Sequence, residues 1–271
     1  MTPLKRLLHR LASAPAVLVE IVATQGSAPR EAGTWMAVFA ADFIGTIGGG
    51  RLEFDAIAEA RSTLAGADAH PEARRHALGP ASGQCCGGVI HLRHTPVAAG
   101  DITGLRARLA EPGTPVALFG GGHVGSALAR VLAPLPFALT WIDSRDEIFP
   151  LGIAGRDVEL ACEHSDPVQA AVPGLAPQSR VLIMSFSHAE DLDVVAACLL
   201  RRRQRGDLPF IGLIGSKTKW ATFRGRLRAR GFTDAELDAV TCPIGVPGIG
   251  GKQPEVIAVA VAAQLLQTLP G

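Results

Sequence analysis

Two adjacent thiols stand out as chemistry-bearing residues. They lie in Gly83-Gln84-Cys85-Cys86-Gly87-Gly88. Glycines on both sides strip away bulk, and neighbouring residues of an extended chain point to opposite faces. One thiol can then face a cleft while the other packs inward. A thiolate is a soft ligand for a soft metal centre and a good sulfur carrier. The plain alternative is two structural cysteines in a tight turn. The other three cysteines, Cys162, Cys198 and Cys242, sit in strand, helix and loop contexts. Packing is the reading for the first two. No Cys-x-x-Cys occurs, which leaves a structural zinc site without support.

A second centre is Gly120-Gly121-Gly122-His123-Val124-Gly125, which fits G-x-G-x-x-G. The pattern follows an apolar run, opens a helical one, and is followed 18 residues past Gly125 by Asp143. That is the context of a phosphate-binding Rossmann turn. Gly120 allows the tight turn, Gly122 lets backbone approach a phosphate, and Gly125 lets helix and strand pack. The helix N-terminus adds free N–H groups and about half a positive charge. Asp143 is placed to accept a ribose hydroxyl, and Arg145 to contact a second phosphate. His123 is a candidate base or a capping residue. The alternative is a Rossmann fold whose glycines serve packing alone.

Two more glycine runs open helices. Gly45 to Arg51 contains Gly48, Gly49, Gly50 and the cation Arg51, and Gly248 to Pro254 contains Lys252. Each can cradle an anion beside a cation. Neither is a P-loop: position 246 is Val, and Gln follows Lys252. Residues 201–230 hold ten Lys or Arg against one acid, Asp207. This is a solvated basic face or a surface for an anionic partner. No nucleic-acid motif accompanies it, and nucleic acid is not expected.

These residues need elements to hold them. The chain has 271 residues, 48% hydrophobic and 19% charged, with net charge +1, enough to bury a core and unlike a disordered chain. It has no tyrosine, which excludes Tyr-x-x-x-Lys dehydrogenase chemistry. A short N-terminal helix precedes strands predicted at 17–23, 35–40 and 88–93. A helix is predicted over 51–66, with Phe54, Ile57 and Leu64 on one face. From 115 the rhythm becomes alternating: strands at 115–119, 137–143, 158–161, 181–186 and 210–214, and helices at 124–132, 191–203 and 217–230. Alternation of this kind predicts an α/β fold with a parallel, doubly wound sheet. The predicted organisation is an N-terminal α+β domain (1–95), a connector (96–113) and a larger C-terminal Rossmann-like domain (114–271). Basic residues before Leu11–Val19 mimic a signal peptide, but Pro15 and Glu20 interrupt it. Sparse cysteines and the lack of a long apolar run point to a cytoplasmic protein without a membrane span. A homodimer is the default assembly.

Together, Gly26-Ser27-Ala28-Pro29-Arg30, the run Gly45 to Glu53, GQCCGG, GGGHVG with WIDSR, IGLIGSKTK from Ile211 and CPIGVPGIGGKQPEVIA from Cys242 resemble the XdhC family. These are accessory proteins of xanthine dehydrogenase maturation. The resemblance implies a chaperone, without turnover of its own, that binds and protects the molybdenum cofactor. It further implies support of the cofactor's sulfuration by a cysteine desulfurase and delivery to the xanthine dehydrogenase large subunit. By carry-over, Cys85 or Cys86, beside Gln84, contacts the cofactor, with Cys85 the slightly favoured metal ligand. The competing readings are an NAD(P)-dependent oxidoreductase, for which His123, His164 and His188 are the available bases, and a nucleotide-sensing interaction protein.

Overall fold

The structure, a computed structural model, describes residues 2–66, 72–79, 87–110, 113–149 and 160–269. The chain divides into two units, Met1–Ala110 and Glu111–Gly271.

The first unit is built on a mixed-length antiparallel sheet. Its order is β3 (Phe43–Gly45), β2 (Trp35–Val38), β1 (Ala16–Gln25), β5 (Val89–Val97), β4 (Arg74–Ala77). Strand β1 is central and apolar on both faces. Val17, Val19 and Ile21 pack under helix α2 (Gly50–Leu64), whereas Ala16 and Leu18 pack under α1 (Pro3–Leu11) and α3 (Ile102–Leu109). Helix α2 buries Leu52, Ala56 and Ala60, spaced four apart, with Ile57 and Leu64 at the margin. Phe54 does not share this face and is 71% exposed, contrary to the expected stripe.

The stretch 96–110 belongs to this unit rather than to a connector. Strand β5 runs on to Val97, and α3 buries Leu105 among Leu7, Leu11 and Leu18. Gly104 lies inside the short helix, whose apolar side joins the core.

The second unit is a six-stranded parallel sheet, ordered β11 (Val240–Thr241), β10 (Phe210–Leu213), β9 (Arg180–Ile183), β6 (Thr114–Phe119), β7 (Phe137–Asp143), β8 (Leu160–His164). Strand order reverses between β6 and β9, the place where doubly wound folds bind ligands. Both faces are covered, so the strands read as continuous apolar runs. Ala117, Phe119, Val181, Ile183, Ile211 and Leu213 pack against α5 (His188–Arg205) and α6 (Lys217–Ala229). Val116, Leu118, Leu182 and Trp141 pack against α4 (His123–Leu132) and α8 (Pro254–Leu266). Short α7 (Asp234–Leu237) leads into β11. Among the described residues, no helix is long and apolar enough to cross a membrane.

Candidate functional site

The glycine turn sits between β6 and α4, at the reversal of strand order. Gly120 has φ +119°, and a Cβ there would lie 2.0 Å from the Met184 carbonyl oxygen. A Cβ on Gly125 would lie 2.0 Å from the Gly120 carbonyl oxygen, which also accepts from the Trp141 indole at 2.8 Å. Backbone packing therefore demands both glycines. Gly121 is hemmed in too, since a Cβ there would lie 2.7 Å from the Ile148 side chain. Gly122 differs. Its φ of −70° suits any residue, and nothing lies within 4 Å of the place a Cβ would take. The fold leaves this space open beside the first N–H groups of α4, which have no intrahelical acceptor.

Asp143, at the end of β7, is 1% exposed. Its Oδ2 accepts the Gly121 N–H at 2.5 Å and Arg145 Nη2 at 2.9 Å. Its Oδ1 accepts the backbone N–H and Nε of Arg145, both at 2.9 Å. Burial opposes ionisation of this carboxyl, but the Arg145 guanidinium and the Gly121 and Arg145 N–H groups outweigh it and hold the pKa below its usual value. The same contact raises Arg145. Both carboxylate oxygens are thus engaged within the protein, and Asp143 ties the glycine turn to the β7 loop instead of standing ready for a ribose hydroxyl. Arg145 is held by Asp143 and lies over the Phe186 ring, 4.6 Å from its centroid. His123 is the exposed first residue of α4, and the helix has no side-chain cap.

In the first unit three motif segments converge. A Cβ on Gly48 would lie 2.8 Å from the Pro29 ring, and one on Gly88 would lie 2.3 Å from the Ser27 carbonyl oxygen. The loop before α2 holds an anion of its own. Glu53 Oε2 accepts from Thr46 Oγ1 at 2.5 Å, the Ile47 N–H at 3.0 Å and the Gly49 N–H at 3.2 Å. The Gly48 N–H donates to Thr46 Oγ1. Gly48, Gly49 and Gly50 all have positive φ angles, and of their N–H groups that of Gly49 reaches Glu53. Arg51 is exposed and faces Asp55 at 3.4 Å. Cys85, Cys86 and Gln84 lie outside the described residues.

In the second unit the loop before α8 folds back on that helix. The Gly245 N–H donates to Gln264 Oε1 at 2.8 Å, and the Val246 N–H to the Ala260 carbonyl at 3.1 Å. Lys252 is exposed on it. The basic stretch is answered by acids from elsewhere in the unit: Arg203 meets Glu236, Arg224 meets Asp234 and Asp238, Arg228 meets Asp234, and Arg230 meets Asp193. The local excess of charge is largely paired once the helices pack. Cys198 is buried, and burial pushes its thiol up to about 12; Cys242 rises to about 11 for the same reason. Neither is a ready thiolate.

Several side chains take on roles that reading the motifs does not give them. Glu53 is one, detectable only as an acid in the first turn after a glycine run. Glu190 is another: its Oε2 accepts the Phe186 N–H at 3.1 Å and its Oε1 the Ser144 hydroxyl at 2.7 Å, joining the loops after β9 and β7. Lys219, partly exposed, forms an ion pair at 2.6 Å with the buried Asp191, which also accepts the Ser185 N–H.

The architecture is that of a Rossmann-type unit with a phosphate-type turn, preceded by an α+β unit. A family model described as the XdhC Rossmann domain matches residues 116–265, and one described as the XdhC and CoxI family matches residues 9–75. The chain belongs to the XdhC family. It is 26% identical over 256 residues to the Escherichia coli (strain K12) protein named uncharacterized protein YqeB, covering 93% of this chain and 43% of that one. The chain thus spans less than half the length of that curated relative. A solved Bacillus halodurans structure, titled a xanthine dehydrogenase, shares the fold with a TM-score of 0.72 at 20% identity, covering 98% of this chain and 95% of that one.

Proposed function

We propose that the protein acts in maturation of xanthine dehydrogenase, as a chaperone that takes the molybdenum cofactor as cargo. On this reading it keeps the cofactor during sulfuration by a cysteine desulfurase and hands it to the large subunit of the enzyme. The cargo brings a terminal phosphate and a molybdenum held by dithiolene sulfurs. The phosphate suits the Gly122 turn, and the thiol of Cys85 or Cys86 suits the metal or a transferred sulfur. Membership of the XdhC family supports the reading, and one observation carries it: Gly122 is a glycine that packing does not require, beside open space at a helix N-terminus. The oxidoreductase alternative loses its ribose acceptor, because Asp143 is spent on Gly121 and Arg145.

The test is anaerobic purification from a host that makes the cofactor, with bound pterin quantified after oxidation to its fluorescent form. Gly122→Val should lose at least roughly tenfold in pterin occupancy, while stability falls by only about 1 kcal/mol from the poorer helix cap. Cys85→Ala or Cys86→Ala should also weaken binding. Unchanged occupancy in all three variants, with tight binding and turnover of NADPH, would overturn the chaperone reading.

A further inference from the structure

An exposed aromatic ring stands at the reversal of strand order, and the packing of the unit does not account for it. Phe186, in the loop between β9 and α5, leaves 66% of its surface exposed. Apolar area left in water forgoes the burial that places most phenylalanines inside. Its position is nonetheless fixed. Glu190 accepts its backbone N–H at 3.1 Å and ties the loop to Ser144 at 2.7 Å. The Arg145 guanidinium covers the ring at 4.6 Å.

That guanidinium is itself held by Asp143, which accepts the N–H of Gly121. A continuous run of fixed contacts therefore joins the glycine turn to the ring. The two loops also abut: a Cβ on Gly120 would lie 3.1 Å from the backbone nitrogen of Ser185, the residue before Phe186.

We propose that Phe186 is a stacking platform for a flat heteroaromatic ring whose attached phosphate rests on the Gly122 turn. This rests on the reading that the turn takes a phosphate-bearing ligand. Arg145 covers the platform, and the exposed surface of Phe186 receives the ligand ring. Pterins and purines share the required chemistry, a planar π-face joined to a phosphate. A fixed aromatic side chain suits both, because stacking needs no particular pattern of hydrogen bonds. The assignment makes Phe186 the residue that separates ring-bearing phosphates from bare sugar phosphates at this site.

The experiment measures anaerobic binding of molybdopterin, adenosine diphosphate and ribose 5-phosphate to the full chain. The proteins compared are wild type, Phe186→Leu, Phe186→Trp and Gly122→Val. Phe186→Leu keeps apolar bulk at an exposed position, so the fold should be intact, with circular dichroism as the check. Phe186→Leu should bind the ring-bearing ligand roughly tenfold or more weakly. Phe186→Trp should restore it, and ribose 5-phosphate affinity should not change between wild type and Phe186→Leu. If Phe186→Leu matches wild type while Gly122→Val abolishes binding, the platform is overturned and the phosphate turn stands. If the wild type ignores molybdopterin but binds adenosine diphosphate in a Phe186-dependent way, the cargo reading falls and the platform stands. Failure of the wild type to bind any of the three overturns both.

Discussion

At the scale of single residues, Asp143 is a tightly held group of the second unit. Four donors from two residues converge on a carboxylate that is 1% exposed. Its folded pKa lies below the ordinary carboxylate value near 4. The contribution is therefore complete above about pH 4 and is lost as pH falls through the depressed folded value. Asp143→Asn keeps an acceptor for one N–H but presents an amide donor to Arg145. Urea titration at pH 7 should show a loss of about 1–3 kcal/mol. The stability difference between variant and wild type should shrink as pH falls below about 4. A difference that is independent of pH would mean that the charge of Asp143 contributes nothing.

Among the elements, helix α2 covers two histidines on the sheet of the first unit. His94 on β5 is 5% exposed, and the Nε2 atoms of His94 and His76 on β4 are buried without a partner. Burial lowers both pKa values; the Glu59 carboxylate pulls the other way but is committed to Arg74 at 2.5 Å. Asp55 on α2 and Arg74 and His91 on the strands complete the charged surroundings. With folded values below the ordinary 6.5 or so, the unfolded chain takes up protons first. Stability of this unit is full above about pH 6.5 and declines as pH falls below it. Between pH 7.5 and 5.5 the denaturation midpoint should drop for the wild type and drop less for His94→Leu. Equal pH slopes for the two proteins would show that His94 is not the responsible group.

The whole molecule is two units, each with cores on both faces of its own sheet. Damage inside one sheet sandwich should then stay in that sandwich. Asp191 and Lys219 offer a sharp local lesion, because removing the buried Asp191 leaves the Ser185 N–H and the Lys219 ammonium without their acceptor and costs about 1–3 kcal/mol. Asp191→Ala should lower hydrogen-exchange protection across β6, β9 and β10 while β1, β2 and β5 keep theirs. An equal loss in both sheets would show a single cooperative structure.

Much of this was legible in the amino-acid order. The alternation after residue 114 gave the parallel sheet, and β7 falls on Phe137–Asp143 as read. The family resemblance rested on motif segments spread along the chain, and two family models cover most of it. Tertiary structure alone decided the rest, because a side chain's partner depends on which elements pack, not on spacing along the chain. Asp143 and Arg145 carry the types a dinucleotide site needs, yet two residues of separation let them clasp each other. The run Gly48–Gly50 has the composition of an anion cradle, but Glu53, one helical turn on, takes the Gly49 N–H. Phe54 had the periodicity of a core residue and Phe186 had none, and both are exposed. Hydrophobic periodicity fixes which residues can share a face. Only the packed elements determine which face is buried and which ring is left exposed.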